Sequence, residues 1–458
     1  MLVDSHCHLD APEFDADRDA VLDRARAAGV GLMLNPGADL ATSRRAVELA
    51  GRHSDVYAAV GVSPHEAGEP PEGWLEELRE MAQVNDKVVA IGEIGLDFFR
   101  SKVAPEVQEQ VFVAQIELAW ELDLPIIVHC RQADERVLEL LQDHSGEGRL
   151  RAVMHCFGGD EKLARGALAL GFYISFAGSL TYPKSRPTRR AAELAPDDRI
   201  LVETDSPYLP PQSVRGKRCE PAMIGETVEK LAAARGAARR DIERITARNF
   251  HLAFGLPVVK RDVLLYPIGE TLYVNLTNRC PNSCGFCPRQ HGRFVHSGHD
   301  LQLSREPEAE EYVRALAGFE DFKELVFCGF GEPTMRLEAL KEIARAAKAR
   351  GMAVRLDTNG LGSLINARNI VPELLGLVDE IWVSLNAPDA RVYQRLTRSE
   401  YGESAYGSVV EFARKAMTAG IRVTASAVNC PGIDVQACLK AAKRLGLEFR
   451  SRKYKKLG

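Results

Sequence analysis

The chain has 458 residues, 45% of them hydrophobic and 27% charged, with a formal net charge of -5; one core rarely fills that length, so two domains are expected. So mild a charge gives no general electrostatic reason to expect nucleic acid or an anionic membrane as partner, and any basic site must be local. No run of eighteen apolar residues occurs, the N-terminus MLVDSHCHLD reads as a strand, and ten cysteines are too few for a disulfide framework, which together lead us to expect a cytoplasmic protein with no membrane contact.

Over the first 255 residues, short β-branched runs alternate with amphipathic helical patterns. The runs are LVDSH, VGLMLN, VYAAVG, VVAIGE, PIIVH, RAVMHC, FYISF and RILVET. This alternation predicts a (β/α)8 TIM barrel, with a doubly wound open sheet as the alternative. Two further helical segments lead to Gly255-Leu256-Pro257, where the pattern breaks and the domain boundary is placed. A second series follows: TLYVNLT, ELVFCG, AVRLDT, EIWVSLN, IRVTASAV and a weaker EFRSRK. The expected fold class is therefore α/β, with an N-terminal (β/α)8 barrel (residues 1–255) and a C-terminal partial (β/α)6 barrel (residues 256–458).

Chemistry-bearing residues collect at the ends of the first set of strands. His6 and His8 sit two apart at the end of the first, so strand alternation points both to one face. Glu93, His129, His155 and Asp205 end the fourth, fifth, sixth and eighth. In a barrel those carboxyl ends converge on one mouth. Four imidazoles and two carboxylates can hold two divalent ions (Mg, Mn or Zn), with Glu93 as the natural bridge, and such a pair suits metal-assisted hydrolysis of a phosphoester.

The motifs DSHCHLD, AIGEIGLDFF, LPIIVHCRQA, MHCFGG and LVETDSPYLPP resemble those of the TatD-type metal-dependent deoxyribonucleases from Met1 to about Gly255. The resemblance implies that His6, His8, Glu93, His129, His155 and Asp205 are metal ligands, with Glu93 and Asp205 catalytic, and that the activity is 3′-exonuclease-like on DNA. Three positions depart from the family pattern: Ser63 replaces a histidine in G-x-H-P-H, Gln132 stands where an acid commonly follows H-x-R, and Cys219 takes the place of an asparagine. The metal shell is kept and the substrate shell is altered, which leaves DNA or a smaller phosphoester as substrate. For the phosphate we single out His65, Arg131, Arg215, Lys217 and Arg218, with Lys184, Arg186, Arg189 and Arg190 as a second basic loop on the same face.

The loop TNRCPNSCGFCP places Cys280, Cys284 and Cys287 at C-x3-C-x2-C spacing after the strand TLYVNLT. Zinc needs a fourth ligand, for which His291, His296 and His299 are candidates. Three thiolates also suit a four-iron cluster with one iron left open. The spacing, with Phe286 before the third cysteine, resembles the radical S-adenosylmethionine superfamily over about Tyr266 to Tyr454. That resemblance implies a [4Fe-4S] cluster whose open iron is chelated by S-adenosylmethionine, reductive cleavage of that cofactor, and an external electron donor. It further implies cofactor contacts at Phe286, at Gly329, Gly331 and Glu332 of the GFGEP motif, and at Asn359, Ser384 and Asn386. The remaining cysteines, Cys7, Cys130, Cys156, Cys219, Cys328, Cys430 and Cys438, read as small buried hydrophobes, and the basic terminal RSRKYKK reads as a solvated tail.

The sequence thus predicts a bifunctional enzyme, a two-metal hydrolase joined to a radical S-adenosylmethionine domain. The competing readings are a phosphoesterase, amidohydrolase or nucleic-acid-binding module in the first half and a zinc-stabilised binding module in the second.

Overall fold

The computed structural model describes residues 1–258, 260 and 262–454, apart from the side chain of Glu147. The chain divides into two compact units, Met1–Val259 and Lys260–Gly458. Among the described residues no helix is long and apolar enough to cross a membrane.

In the first unit eight strands run in sequence order, each parallel to the next: β1 (Leu2–Asp4), β2 (Val30–Pro36), β3 (Val56–Val60), β4 (Val88–Asp97), β5 (Ile126–Arg131), β6 (Ala152–Met154), β7 (Tyr173–Phe176) and β8 (Ile200–Val202). The seam between β8 and β1 has no regular ladder, but Ser5 N donates to Val202 O (3.0 Å) and Asp205 N to His6 O (2.9 Å). The result is a nearly closed barrel. Every strand contributes to one buried apolar cluster, from Val3 on β1 to Leu201 on β8, and Phe250 of the last helix and Phe254 just after it join it. A cluster fed by all eight strands fills the barrel interior, so chemistry is left to the mouth. That last helix, Arg239–Ala253, ends at Gly255, whose φ of +67° turns the chain left-handed so that Leu256 N reaches His251 O (2.7 Å).

The second unit holds a mixed seven-stranded sheet. An antiparallel hairpin, β9 (Leu265–Ile268) and β10 (Thr271–Val274), begins it. The small pair β11 (Val295–His296) and β12 (His299–Asp300) stands apart. Then β13 (Glu324–Phe327), β14 (Ala353–Thr358), β15 (Glu380–Ser384), β16 (Arg422–Asn429) and β17 (Glu448–Lys453) add to β10 in parallel and in order. All six expected strands are present, but β9 was not foreseen. Pro267 breaks its strand pattern, and proline is admitted there because β9 is an edge strand. The terminal segment differs from the expected tail, since Arg450 and Arg452 belong to β17; Lys455 and Lys456 lie outside the described residues.

Candidate active sites

β1 ends at Asp4, so His6 and His8 lie just past the strand. The extended path continues because Cys7 N donates to Leu34 O (2.9 Å) and His8 N to Ser206 O (2.8 Å). Alternation therefore persists: Cys7 turns into the packed layer, while the Nε2 atoms of its two neighbours stand 3.2 Å apart. Glu93 lies within β4 and His129 within β5; His155 directly follows β6, and Asp205 follows β8. Three residues of this mouth, Gln132, Cys156 and Asp205, have φ of 51°, 42° and 57°. Side-chain-bearing residues pay about 1–3 kcal/mol each for that left-handed region, a strain found at functional sites.

The structure brings all six expected residues together, and Glu93 organises them. Its Oε1 lies 2.7 Å from His129 Nδ1 and 3.1 Å from His155 Nε2, while its Oε2 lies 3.5 Å from His6 Nε2 and 3.7 Å from His8 Nε2. Asp205 Oδ1 closes the second set, 3.9 Å from His6 Nε2 and 3.7 Å from His8 Nε2. Two imidazole nitrogens aimed at one point repel unless a proton or cation lies between them, and this happens twice, since His129 Nδ1 and His155 Nε2 are also 3.2 Å apart. His6, His8 and Glu93 form one group able to hold a metal, and Glu93, His129 and His155 form another. Neutral imidazoles and anionic carboxylates are the donors divalent ions take. Burial alone would raise the Glu93 carboxyl, but His155 and the other imidazoles hold it well below the usual carboxylate range. Asp205 is likewise buried, and the hydrogen bond from His8 and the charge of His6 keep it low.

A supporting layer of carboxylates went unread in the sequence. Asp97, fully buried, places Oδ2 3.1 Å from His129 Nε2 and 3.3 Å from His65 Nε2, while its Oδ1 accepts from the backbone of Phe99 (2.8 Å) and Arg100 (2.6 Å). It thereby turns His129 so that Nδ1 faces Glu93. Glu203, also fully buried, lies 3.4 Å from His155 Nδ1, near enough to act by charge though not angled for a hydrogen bond, and accepts from Cys156 N (2.5 Å). Asp4 ties the two ends of the barrel together by accepting from Thr204 N (3.0 Å) and Oγ1 (2.6 Å). The signal is strand spacing for Asp97, four residues from Glu93 on β4; Glu203 directly follows β8, two residues before Asp205. Replacing Asp97 by Asn is expected to lower metal affinity or hydrolysis about 10- to 100-fold with the fold intact, as loss of such outer support does; calorimetric metal titration alongside circular dichroism checks it.

The phosphate candidates divide. His65 is exposed at the mouth, Arg131 lies over the Phe99 ring at 4.8 Å, Arg215 lies over Tyr182 at 4.6 Å, and Lys217 is exposed. Arg218 departs from expectation. Its guanidinium pairs with Asp17 (2.8 Å) and Glu220 (2.9 Å) and lies over the Phe14 ring, so its charge is already neutralised. In the second loop Arg189 donates to Leu180 O, Tyr182 O and Pro183 O, and Arg190 pairs with Glu193. Lys184 and Arg186 are exposed.

In the second unit, Cys280, Cys284 and Cys287 are half-buried on the loop after β10, which is held by Ser283 N donating to Thr397 O (2.8 Å). Burial pushes Cys280 up to about 11 and Cys284 up to about 12, so these are not spontaneous nucleophilic thiolates; a coordinated metal would deprotonate them. Among the described residues these thiols enter no group of three or more ligand atoms within 4.8 Å of one another, alone or with a histidine or carboxylate. His291 Nε2 and His299 Nε2 lie instead against Gly285 O (3.3 Å) and Pro267 O (3.0 Å). Three thiols spread too widely to share one ion fit the separate irons of an iron–sulfur cluster better than a closed zinc site.

The end of β13 passes directly under this loop. Glu332 N donates to Arg279 O (2.8 Å), and a side chain at Gly331 would run into the carbonyl oxygens of Thr277 and Arg279. Gly329 packs close to Asn275. Glu332 departs from its expected role: only 2% exposed, its carboxylate already accepts from Thr334 N and Oγ1, Thr358 Oγ1 and Asn359 N (2.6–3.1 Å). It therefore braces the strand ends instead of being free to meet a ligand's ammonium. Asn359 reaches the cysteines, with Nδ2 3.8 Å from Cys280 Sγ. Phe286 packs with Cys430, Ile433 and Leu396. Asn386, with φ of 54°, accepts from Val428 N (3.1 Å), and Ser384 Oγ accepts from Arg452 Nη2 (3.0 Å).

An eight-stranded parallel barrel with imidazoles and carboxylates gathered at its mouth defines a metal-dependent hydrolase. The chain belongs to the TatD related DNase family, whose model matches residues 3–255, and residues 274–445 match the Radical SAM superfamily, so one chain carries two enzyme domains. An uncharacterized metal-dependent hydrolase of Bacillus subtilis, YabD, is 38% identical over 249 residues, 54% of this chain and 97% of the relative. A 3′-5′ ssDNA/RNA exonuclease TatD of Erwinia tasmaniensis is 37% identical over 261 residues, 56% of this chain and 100% of the relative. Among solved structures, the TatD homologue YJJV of Escherichia coli superimposes with a TM-score of 0.53 at 32% identity, covering 56% of this chain and 98% of that one.

Proposed function

We propose that the first domain is a two-metal 3′-exonuclease acting on single-stranded nucleic acid. Its ligands would be His6, His8, Glu93 and Asp205 around one ion and Glu93, His129 and His155 around the other. The observation that carries this reading is the division of the two Glu93 oxygens between two imidazole pairs. Two divalent ions there would supply an activated water and charge neutralisation on the phosphoryl oxygens. The chain's own part is to hold that geometry: Asp97 orients the His129 ring, Glu203 acts on His155 by charge, and His65, Arg131 and Lys217 can position a phosphate. Support comes from the exonuclease named among the relatives. A second reading, a smaller phosphoester as substrate, is favoured by Ser63 in place of the family histidine and by the neutralised Arg218.

The second domain we read as a radical S-adenosylmethionine enzyme, with β10 and β13 to β17 as a partial barrel and a boundary near Gly255. Cys280, Cys284 and Cys287 would hold a four-iron cluster. Bound there, cluster and cofactor would supply one-electron cleavage of a C–S bond, given an external reductant. Such chemistry suits the reducing cytoplasm.

One purified protein tests both halves. With Mg or Mn, 5′-labelled single-stranded DNA is expected to shorten from its 3′ end, and anaerobically reconstituted, reduced protein is expected to release 5′-deoxyadenosine from S-adenosylmethionine. Cleavage of a model phosphodiester with DNA left intact would shift the first domain to the second reading. Zinc in place of iron, with no deoxyadenosine, would end the radical assignment.

A further inference from the structure

The two sheets differ in what their inner faces carry. In the second unit Leu325, Phe327, Leu356, Ile381 and Val383 lie in the helix-covered core, so by strand alternation Arg355, Asp357, Trp382 and Ser384 stand on the opposite face. On β17 it is Phe449 that packs toward that core, which places Arg450 and Arg452 on the same inner face. Where the first barrel is filled with apolar side chains, this face is polar and charged.

Most of its charge is balanced. Arg355 pairs with Asp357 (2.9 Å) and Glu324 (2.7 Å) and lies over the Trp382 ring at 4.0 Å. Arg450 lies over the same ring at 4.6 Å and is exposed. Arg452 is different. Opposite Val428 in register, it reaches past β16 to donate from Nη2 to Ser384 Oγ at 3.0 Å. Among the described residues no carboxylate lies within 4.0 Å of its guanidinium, and its Nε is buried with no hydrogen-bond partner. Asp357, paired with Arg355, is near enough to feel its charge but not to pair with it, so this half-buried guanidinium is held by one neutral hydroxyl and keeps donors in reserve. Its position is also specific. Ser384 is the last residue of β15, and its neighbour Val383 is in register with Thr358, one residue before the Asn359 that touches Cys280. This guanidinium therefore sits at the cysteine end of the sheet.

We propose that Arg452 and Ser384 form an oxyanion-binding site on the inner face of the second sheet, taking a carboxylate or phosphate group. It rests on the radical S-adenosylmethionine reading. Two molecules can bring that group: the methionine carboxylate of the cofactor, or an anionic group on the substrate. Arginine suits both, because its fork meets two oxygens at once.

The test uses the cluster-loaded full chain and its Arg452→Gln, Arg452→Lys and Ser384→Ala variants. S-adenosylmethionine affinity is measured by equilibrium dialysis; affinity for inorganic phosphate, in the presence of the cofactor, is followed by the fluorescence of Trp382. Loss of the charge-assisted contact in Arg452→Gln is expected to weaken one of the two about 10- to 100-fold, with partial recovery in Arg452→Lys and a smaller loss in Ser384→Ala. Weakened cofactor binding assigns the site to the methionine carboxylate. Weakened phosphate binding with cofactor affinity unchanged assigns it to the substrate. Unchanged affinities for both in a variant that still assembles its cluster overturn the proposal, as does wild-type protein that assembles the cluster and binds neither probe. If the wild type forms no cluster and binds no cofactor, yet binds phosphate in an Arg452-dependent way, the radical reading fails while the oxyanion site stands.

Discussion

Replacing Glu93 by Gln is expected to lower hydrolysis by the first domain about a thousandfold, or about 4 kcal/mol of transition-state stabilisation. Both carboxylate oxygens face imidazole pairs, at 2.7 and 3.1 Å on one side and 3.5 and 3.7 Å on the other. An amide is neutral: it keeps one carbonyl oxygen for one pair and turns an NH2 donor toward the other, so both halves lose the shared negative charge and one loses its acceptor as well. The decisive measurement pairs turnover of a phosphodiester with metal content per chain. Full activity in the variant would exclude a bridging role. S-adenosylmethionine cleavage should be untouched, since the ligands assigned to it all lie beyond Gly255.

The mirror experiment is Cys284→Ala, which is expected to abolish visible cluster absorbance and the release of 5′-deoxyadenosine while leaving hydrolysis at the wild-type rate. Cys284 lies centrally in the loop, close enough to Cys280 and Cys287 for their charges to raise it further beyond the effect of burial. Of the three thiols proposed as ligands, loss of one would leave two for a cluster that needs three. Persistent deoxyadenosine formation in this variant would mean that the chemistry lies elsewhere.

Both experiments rest on residues legible in the sequence for one reason: β/α alternation converts remote strand ends into neighbours. His129 and His155 are 26 residues apart yet meet at 3.2 Å. What stayed unread depended on burial or on distant partners. Asp97 looks like any acid in a turn until its 0% exposure and its contact with His129 are known. Arg218 reads as free charge in the sequence because its partner, Asp17, lies 201 residues away. β9 was hidden by Pro267, which interrupts strand pairing everywhere except at an edge. The strand EFRSRK is legible, but the role of Arg452 is not, because its partner Ser384 lies 68 residues away across β16.

The close passage of Gly331 beneath the cysteine loop has a mechanical consequence. With no room for even a methyl group between that glycine and the carbonyls of Thr277 and Arg279, and with Glu332 N hydrogen-bonded to Arg279 O, the cysteine loop is splinted to the strand end below it. Glu332 extends the splint to the end of β14 through Thr358 and Asn359. Three chain segments distant in sequence are thus tied to one another, so a substitution at any of them is expected to displace the loop that carries the thiols.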